Sequence, residues 1–232
     1  MLRLETLGAL VIAGDSGTPL PLQRRRLALL ALLAGAGKRG LTRDKIVAIL
    51  WPDTTEAKAR HALEQLIYSL RKEQGEALVA GPDPLRINHH VLAVDVMEFL
   101  NALERGELAE AVRLYKGTFA DGFYLSGAPE FESWMETERG RLAGLYRSAL
   151  ERLARQQQDG GQVDAAVESW RKLVAVDPLS TTAMLGLLRS LTVRGDRAAA
   201  LQLGRGYAEL VRREQTRGPD PAISALLKEL EG

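Results

Sequence analysis

The spacing of the hydrophobic residues changes near Val96, and this change limits the folds that are open to the chain. Before Val96, short alternating stretches stand beside amphipathic helical ones, whereas after it the helical period continues almost to the end. A length of 232 residues suits one or two domains. We therefore predict a mainly α protein, with a mixed domain at residues 1–95 and an all-α domain at residues 96–232.

The second part contains a repeated spacing of small residues. Gly161, Ala166 and Trp170 recur after a shift of 34 residues as Gly195, Ala200 and a glycine in place of the aromatic residue. A 34-residue period is that of the tetratricopeptide repeat, a pair of helices. The second domain is therefore predicted to be an all-α, tetratricopeptide-like helical domain. Within it, an aromatic-rich loop is predicted at 119–134 and one long helix at 136–158.

The first part predicts a specific order of elements. In sequence they are short strands within 2–13, helices at 23–34, 43–51 and 51–72, a hairpin at 77–87 with its turn at 81–84, and a strand at 91–94. Thr42 is the expected N-cap of the second helix. Strands, two helices, a polar-faced helix and a hairpin are the elements of a winged helix-turn-helix. We therefore predict such a domain, with a small β-sheet.

The helix predicted at 51–72 has two different faces. One side collects the aliphatic residues Leu63, Leu66, Ile67 and Leu70, and the other collects Lys58, His61, Gln65, Tyr68 and Lys72. Asp53 and Glu56, which follow Pro52, form a capping-box-like pair that marks the start. One interpretation is a surface helix with a solvated polar face. The other is a helix that lies in the DNA major groove, and the neighbouring elements favour it.

Two sets of residues are the candidate DNA contacts. Glutamine and lysine can bond to base edges in the major groove, whereas arginine at the flanks reaches phosphates. The residues expected to face bases are Thr55, Lys58, His61, Gln65 and Ser69. Those expected to contact phosphates or to lie on the wing are Arg43, Arg60, Tyr68, Arg71, Lys72 and Arg86. For Arg86, a cross-strand surface charge is the competing interpretation.

Several patterns that suggest catalysis or targeting are rejected. The chain has no cysteine, which excludes disulfides, thiol nucleophiles and cysteine-ligated metals. Residues 35–40 match G-x-G-x-x-G, but they end a helix, whereas a dinucleotide fingerprint opens one. His89 and His90 lack metal-ligand spacing, and the apolar run at 27–34 is too short to span a membrane. We therefore expect a cytoplasmic protein that is not an enzyme and needs no cofactor or metal.

The arrangement resembles a family of bacterial transcriptional regulators, the antibiotic regulatory proteins, which join an OmpR-like winged helix to a bacterial transcriptional activator domain. The first domain carries the resemblance in QRRRLALLALLA (23–34), LTRDKIVAILWPD (41–53) and ARHALEQLIYSLRK (59–72). The second carries it in LYKGTFADGFYL (114–125), FESWMETERGRL (131–142) and AVDPLSTTAMLGLLRSL (175–191). The chain departs from the family at Ser69, where an arginine is common, and at 180–182 and 214–216.

This resemblance implies a transcriptional activator that binds tandem repeats in promoter DNA. It also implies RNA polymerase subunits as partners, and a homodimer on the double-stranded DNA. Two alternatives stay open at this point. The chain can be an interaction scaffold whose tetratricopeptide-like groove binds a protein, or the regulatory N-terminal part of a longer multidomain protein.

Overall fold

The computed structural model describes residues 2–14, 17–74, 77–214 and 218–231. The chain divides into two compact units, residues 1–143 and residues 144–232. The first unit contains β1 (Leu2–Glu5), β2 (Val11–Ala13), α1 (Arg24–Ala36), α2 (Arg43–Leu50), α3 (Glu56–Gln74), β3 (Val79–Ala80), β4 (Arg86–Ile87), β5 (Leu92–Val94), α4 (Asp95–Arg105), α5 (Leu108–Leu114) and the first part of α6 (Pro129–Asp159). The second contains the rest of α6 and then α7 (Val163–Val176), α8 (Thr181–Val193), α9 (Arg197–Glu214) and α10 (Pro221–Glu231).

The described residues of the first unit form two small sheets. In one, β1 pairs antiparallel with β2 and parallel with β5, so that its order is β2-β1-β5. The other is the hairpin of β3 and β4, paired antiparallel. The predicted strands at 2–13, the hairpin and the strand at 91–94 are therefore confirmed. Pro19 also forms an antiparallel bridge with Ala13.

The apolar helix predicted at 23–34 is α1. Its residues from Ala28 to Ala34 are fully buried, which explains why the sequence there is apolar on nearly every side. The helix ends at Gly37, whose φ of 60° favours glycine, and a short 3-10 turn follows through Arg39. The expected helix stop is therefore confirmed, and residues 35–40 close a helix.

The predicted start of the third helix is wrong. Thr42 caps α2 as expected, with its hydroxyl oxygen accepting from the Lys45 backbone N–H at 3.4 Å. Residues 51–55, however, form a turn in which the Thr54 N–H donates to the Trp51 carbonyl, and α3 begins only at Glu56. The Asp53 and Glu56 pair is therefore not a capping box around a helix that starts at Pro52.

Residues on both sides of the predicted boundary at 95/96 lie in one unit. The carboxylate of Asp95, 5% exposed, accepts hydrogen bonds from the backbone N–H of Thr6 at 2.8 Å and of Leu7 at 2.9 Å. The Thr6 hydroxyl donates to it at 2.6 Å, and the Ala120 N–H donates to the Thr6 carbonyl at 2.7 Å. Residues 96–143 thus pack with residues 1–95, and the two predicted domains stay a proposal about function.

The predicted aromatic loop is shorter than expected. Phe119 and Phe131 are fully buried, and Trp134 packs against both rings. The loop ends at Ala128, because α6 begins at Pro129, a residue that suits the first turn of a helix. The long helix predicted at 136–158 therefore extends from Pro129 to Asp159.

The described residues of the second unit lie in helices and the turns between them, which agrees with the helical character predicted for this part of the chain. Gly161 and Gly195 make the turns before α7 and α9 with φ of 69° and 87°, and Ala166 and Ala200 are fully buried. Gly204 stands where the first repeat has an aromatic residue, and a Cβ there would lie 2.5 Å from Leu227 Cδ2. The fold class is confirmed: a mainly helical chain with small N-terminal sheets. Among the described helices, none has an apolar stretch of the length that a membrane crossing requires.

Candidate nucleic-acid interface

The buried and exposed sides of α3 are separated as the sequence predicts. Ala59, Leu63, Leu66 and Leu70 are buried in the first unit, and Ile67 is half-buried. On the other side, Thr55 directly precedes the helix, and Thr55, Lys58, His61 and Gln65 are all exposed. Ser69 is only half-buried, so its hydroxyl lies at the margin of the exposed face. The structure thus brings the five base-facing candidates to one side of a 19-residue helix.

The residues expected to contact phosphates fall into two groups. Tyr68, 62% exposed, Arg71 and Lys72 are on the exposed surface of α3. Within the part of the chain that the structure describes, Arg71 and Lys72 form no ion pair, and their charges are therefore available to an anion. Arg43, Arg60 and Arg86 belong to the second group, because each already bonds to protein atoms.

Arg60 is held by two carboxylates. Its Nη2 lies 2.9 Å from Asp44 Oδ1 on α2 and 2.7 Å from Glu56 Oε1 on α3. All three side chains are largely exposed, so each pair is worth little in isolation. The arrangement nevertheless joins α2 to the start of α3 and partly neutralises the Arg60 charge.

The hairpin of β3 and β4 (residues 79–87), called the wing from here on, is bonded to the segment between α1 and α2. Leu41 and Leu85 exchange two backbone hydrogen bonds of 3.0 and 2.8 Å. Gly40, with φ of 68°, allows this approach, since a Cβ there would lie 2.3 Å from the Leu85 carbonyl oxygen. Arg86, which is exposed, donates from Nε to the Lys38 carbonyl at 3.1 Å. The hairpin is therefore anchored on the side where α2 begins.

Two contacts near the interface were missed by the sequence reasoning. The guanidinium of Arg25 lies over the Trp51 ring, 5.4 Å from its centroid. The turn of the wing contacts α2 through Pro82 and Asp83, which accept hydrogen bonds from Arg43. The signal for Arg25 was the run of three arginines at 24–26, to which the sequence analysis assigned no role. For Asp83, no local pattern pointed to a partner 40 residues away in sequence.

Among the described residues, the interface holds no cluster typical of a metal site. Nowhere in the described ranges do three histidine or acidic side chains come together as a metal would require. His61 stands alone on the exposed face of α3, and His89 and His90 lie just after the wing. What the surface offers is an exposed row of hydrogen-bonding and basic side chains on one helix, which a hairpin follows in the chain.

Comparisons with known proteins agree with this architecture. The sequence pattern of the family described as the bacterial transcriptional activator domain matches residues 98–231. Mycobacterium tuberculosis EmbR, solved in complex with a low-affinity phosphopeptide, superposes with a TM-score of 0.67 at 19% identity. The match covers 99% of this chain but 65% of EmbR, so this chain spans less than two thirds of EmbR's length. No curated protein matches the sequence.

Proposed function

The chain belongs to the bacterial transcriptional activator domain family, whose members resemble the antibiotic regulatory proteins. We propose that it binds promoter DNA in a sequence-specific way and activates transcription. The observation that carries this proposal is the exposed polar face of α3, set against a buried aliphatic stripe on the same helix. The major groove of B-DNA admits one α-helix, and the second helix of a helix-turn-helix occupies it. In this chain that helix is α3.

The residues of α3 have the chemistry that base recognition requires. Gln65 can accept from adenine N6 and donate to N7, and Lys58 can donate to guanine O6 or N7. Thr55 and His61, close to the front of the helix, are where winged helices meet the bases, and Ser69 lies further along. Tyr68, Arg71 and Lys72 are exposed and can contact phosphates. Phosphate contacts fix the register of the protein on the duplex without reading its sequence.

The proposal assigns different tasks to the two parts of the chain. Residues 1–95 bind DNA, and residues 96–232, which contain the matched domain, contact RNA polymerase subunits. Tandem promoter repeats would seat two copies of the chain, as a homodimer on double-stranded DNA. Such an activator works in the cytoplasm, and its action requires neither catalysis nor a cofactor.

A second candidate function rests on the second unit. A groove of about 500 Å³ lies among α7, α8 and α9, with Val174, Leu203 and Leu210 in its lining. Leu203 is 36% exposed, and Val176 and Leu179, in the chain just after Val174, are 46% and 37% exposed. A groove lined by apolar side chains, with Leu203 exposed in it, favours a protein partner. An interaction scaffold, alone or within a longer protein, is therefore the competing proposal.

Selection from a random pool of DNA duplexes tests the main proposal. We expect the chain to enrich one short motif, and its affinity for that motif to fall steeply as salt rises, because phosphate contacts release counterions. A scrambled duplex is the control and should bind more weakly at every salt concentration. If no motif is enriched and no salt-dependent binding is measured, the scaffold function takes the place of the first.

A further inference from the structure

The turn of the wing rests on the start of α2. Asp83 Oδ1 accepts a hydrogen bond of 3.0 Å from the backbone N–H of Arg43, the first residue of that helix. The Arg43 side chain returns the contact, since its Nε donates to the Pro82 carbonyl at 2.8 Å. One residue of α2 thus bonds to two consecutive residues of the turn, once through its main chain and once through its side chain.

The same turn is bounded by a rigid frame. Leu41, two residues before Arg43, pairs with Leu85, two residues after Asp83, through two backbone hydrogen bonds. Between these anchor points lies the tip at 81–84. The two strands of the hairpin, β3 and β4, share only two residue pairs, so the hairpin's own ladder is short. A hairpin this short is marginal by itself, and the contacts with α2 supply what the ladder lacks.

We propose that Asp83 and Arg43 form a clasp that fixes the position of the wing before DNA arrives, so that both are positioning residues. The inference rests on the proposed DNA binding and deepens it. It also changes the role of Arg43, which the sequence placed among the phosphate contacts. The Arg43 Nε donates to the Pro82 carbonyl, and the Arg43 main-chain N–H donates to the Asp83 carboxylate, so this residue already holds the turn in the free protein.

A fixed wing has a physical advantage for binding. A loop that must become ordered on its ligand loses conformational freedom at that moment, and this loss is subtracted from the affinity. A clasp that orders the wing in the free protein removes that cost. Releasing about one residue's backbone freedom corresponds to roughly a tenfold loss of affinity.

Three substitutions separate the parts of the clasp. Asp83→Ala removes the acceptor, Asp83→Asn removes the charge but keeps an oxygen at Oδ1, and Arg43→Ala keeps the backbone N–H but removes the bond to Pro82. Asp53→Ala is the matched control. It deletes one exposed acidic charge from the turn before α3, and its carboxylate has no partner among the described residues.

Two measurements are made on each full-length variant. The first is hydrogen exchange of the backbone amides of residues 79–87 without DNA. The second is the affinity for two duplexes. One contains the motif selected from the random pool with both flanks, and the other is shortened at the flank whose removal weakens binding by the parent protein. Asp83→Ala should speed the exchange and lower the affinity for the full duplex about tenfold, leaving the trimmed duplex unaffected. Asp83→Asn should restore both values, and Arg43→Ala should weaken binding with its salt slope unchanged.

Other results would overturn the clasp. If the backbone amides of the wing exchange as slowly in Asp83→Ala as in the parent, the wing is not held by this contact. If Asp83→Ala tightens DNA binding as much as Asp53→Ala does, Asp83 acts only as a repelling charge. If Arg43→Ala lowers the salt slope by about one unit, Arg43 is a phosphate contact after all. A parent that binds no duplex refutes the proposed function instead, and the exchange measurement still decides the clasp.

Discussion

At the end of α2, Trp51 has the features of a structural residue and not those of a DNA contact. The ring is 9% exposed and follows the stripe of Ile46, Val47 and Leu50, all of them buried. One face of it is covered by Arg25. The position of Trp51, at the end of an aliphatic stripe and directly before a proline, favours a core role, and the burial agrees with it.

Replacing Trp51 by alanine should therefore destabilise the fold. We expect Trp51→Ala to lose about 3–5 kcal/mol of unfolding free energy, because a large buried side chain leaves a cavity. Urea denaturation followed by circular dichroism measures the loss. Tyr68→Ala is the control, since that ring is 62% exposed and its removal should change the stability little. An unchanged midpoint for Trp51→Ala would contradict the burial of its ring.

Single residues also show where sequence reasoning stops. Lys58 and Gln65 could be placed on the exposed face because helical periodicity alone fixes which side of α3 they occupy. Arg60, Arg43 and Arg86 could not be assigned in this way. Their partners Asp44, Asp83 and Lys38 come from elements that are adjacent only after folding. The sequence position of a basic residue predicts whether its side chain is exposed better than it predicts whether that side chain is free to bind DNA.

At the level of elements, the types were predicted better than the boundaries. The order of helices and strands followed from hydrophobic period and turn residues, and the structure confirms it. The start of α3 was misplaced because Pro52 and Asp53 are good helix-start residues that here belong to a turn after Trp51. The start of α6 was misplaced because Phe131 and Trp134 resemble a packed loop, although they pack against each other on the first turns of this helix.

The junction of β1 and α4 gives a test at this scale. Asp95→Ala would leave the buried N–H groups of Thr6 and Leu7 without their acceptor. An unsatisfied buried donor costs about 1–3 kcal/mol, so we expect a loss of at least about 2 kcal/mol in urea denaturation. Asp121→Ala, which removes an exposed acidic side chain, should be close to the parent. Equal midpoints for the two variants would show that the Asp95 bonds do not stabilise the junction.

For the whole molecule, the division by contacts differs from the predicted division by function. A change of hydrophobic period marks residue 96, but period cannot reveal that Asp95 and the segment around Phe119 bond back to residues 6–9, between β1 and β2. The compact unit therefore extends to residue 143, while the family match begins at residue 98.

Truncation distinguishes the two divisions. A fragment of residues 1–143 should unfold in one cooperative transition, because it retains the core that includes Phe99, Phe119 and Phe131. A fragment of residues 1–95 lacks all three rings and should show a broad, weak transition or none. Thermal denaturation followed by circular dichroism compares them. If residues 1–95 melt as sharply and at the same temperature as residues 1–143, the contacts across residue 95 are dispensable.

The central claim is that the exposed face of α3 reads DNA sequence, and one comparison tests it most directly. The affinities of the parent, Gln65→Ala and Arg71→Ala are measured for the selected duplex and a scrambled duplex at several salt concentrations. Gln65→Ala should lose about 1–3 kcal/mol on the selected duplex alone, with nearly the same salt slope. Arg71→Ala should weaken both duplexes alike and lower the slope by about one unit. If both variants bind the selected duplex as tightly as the parent does, α3 is not the reading helix.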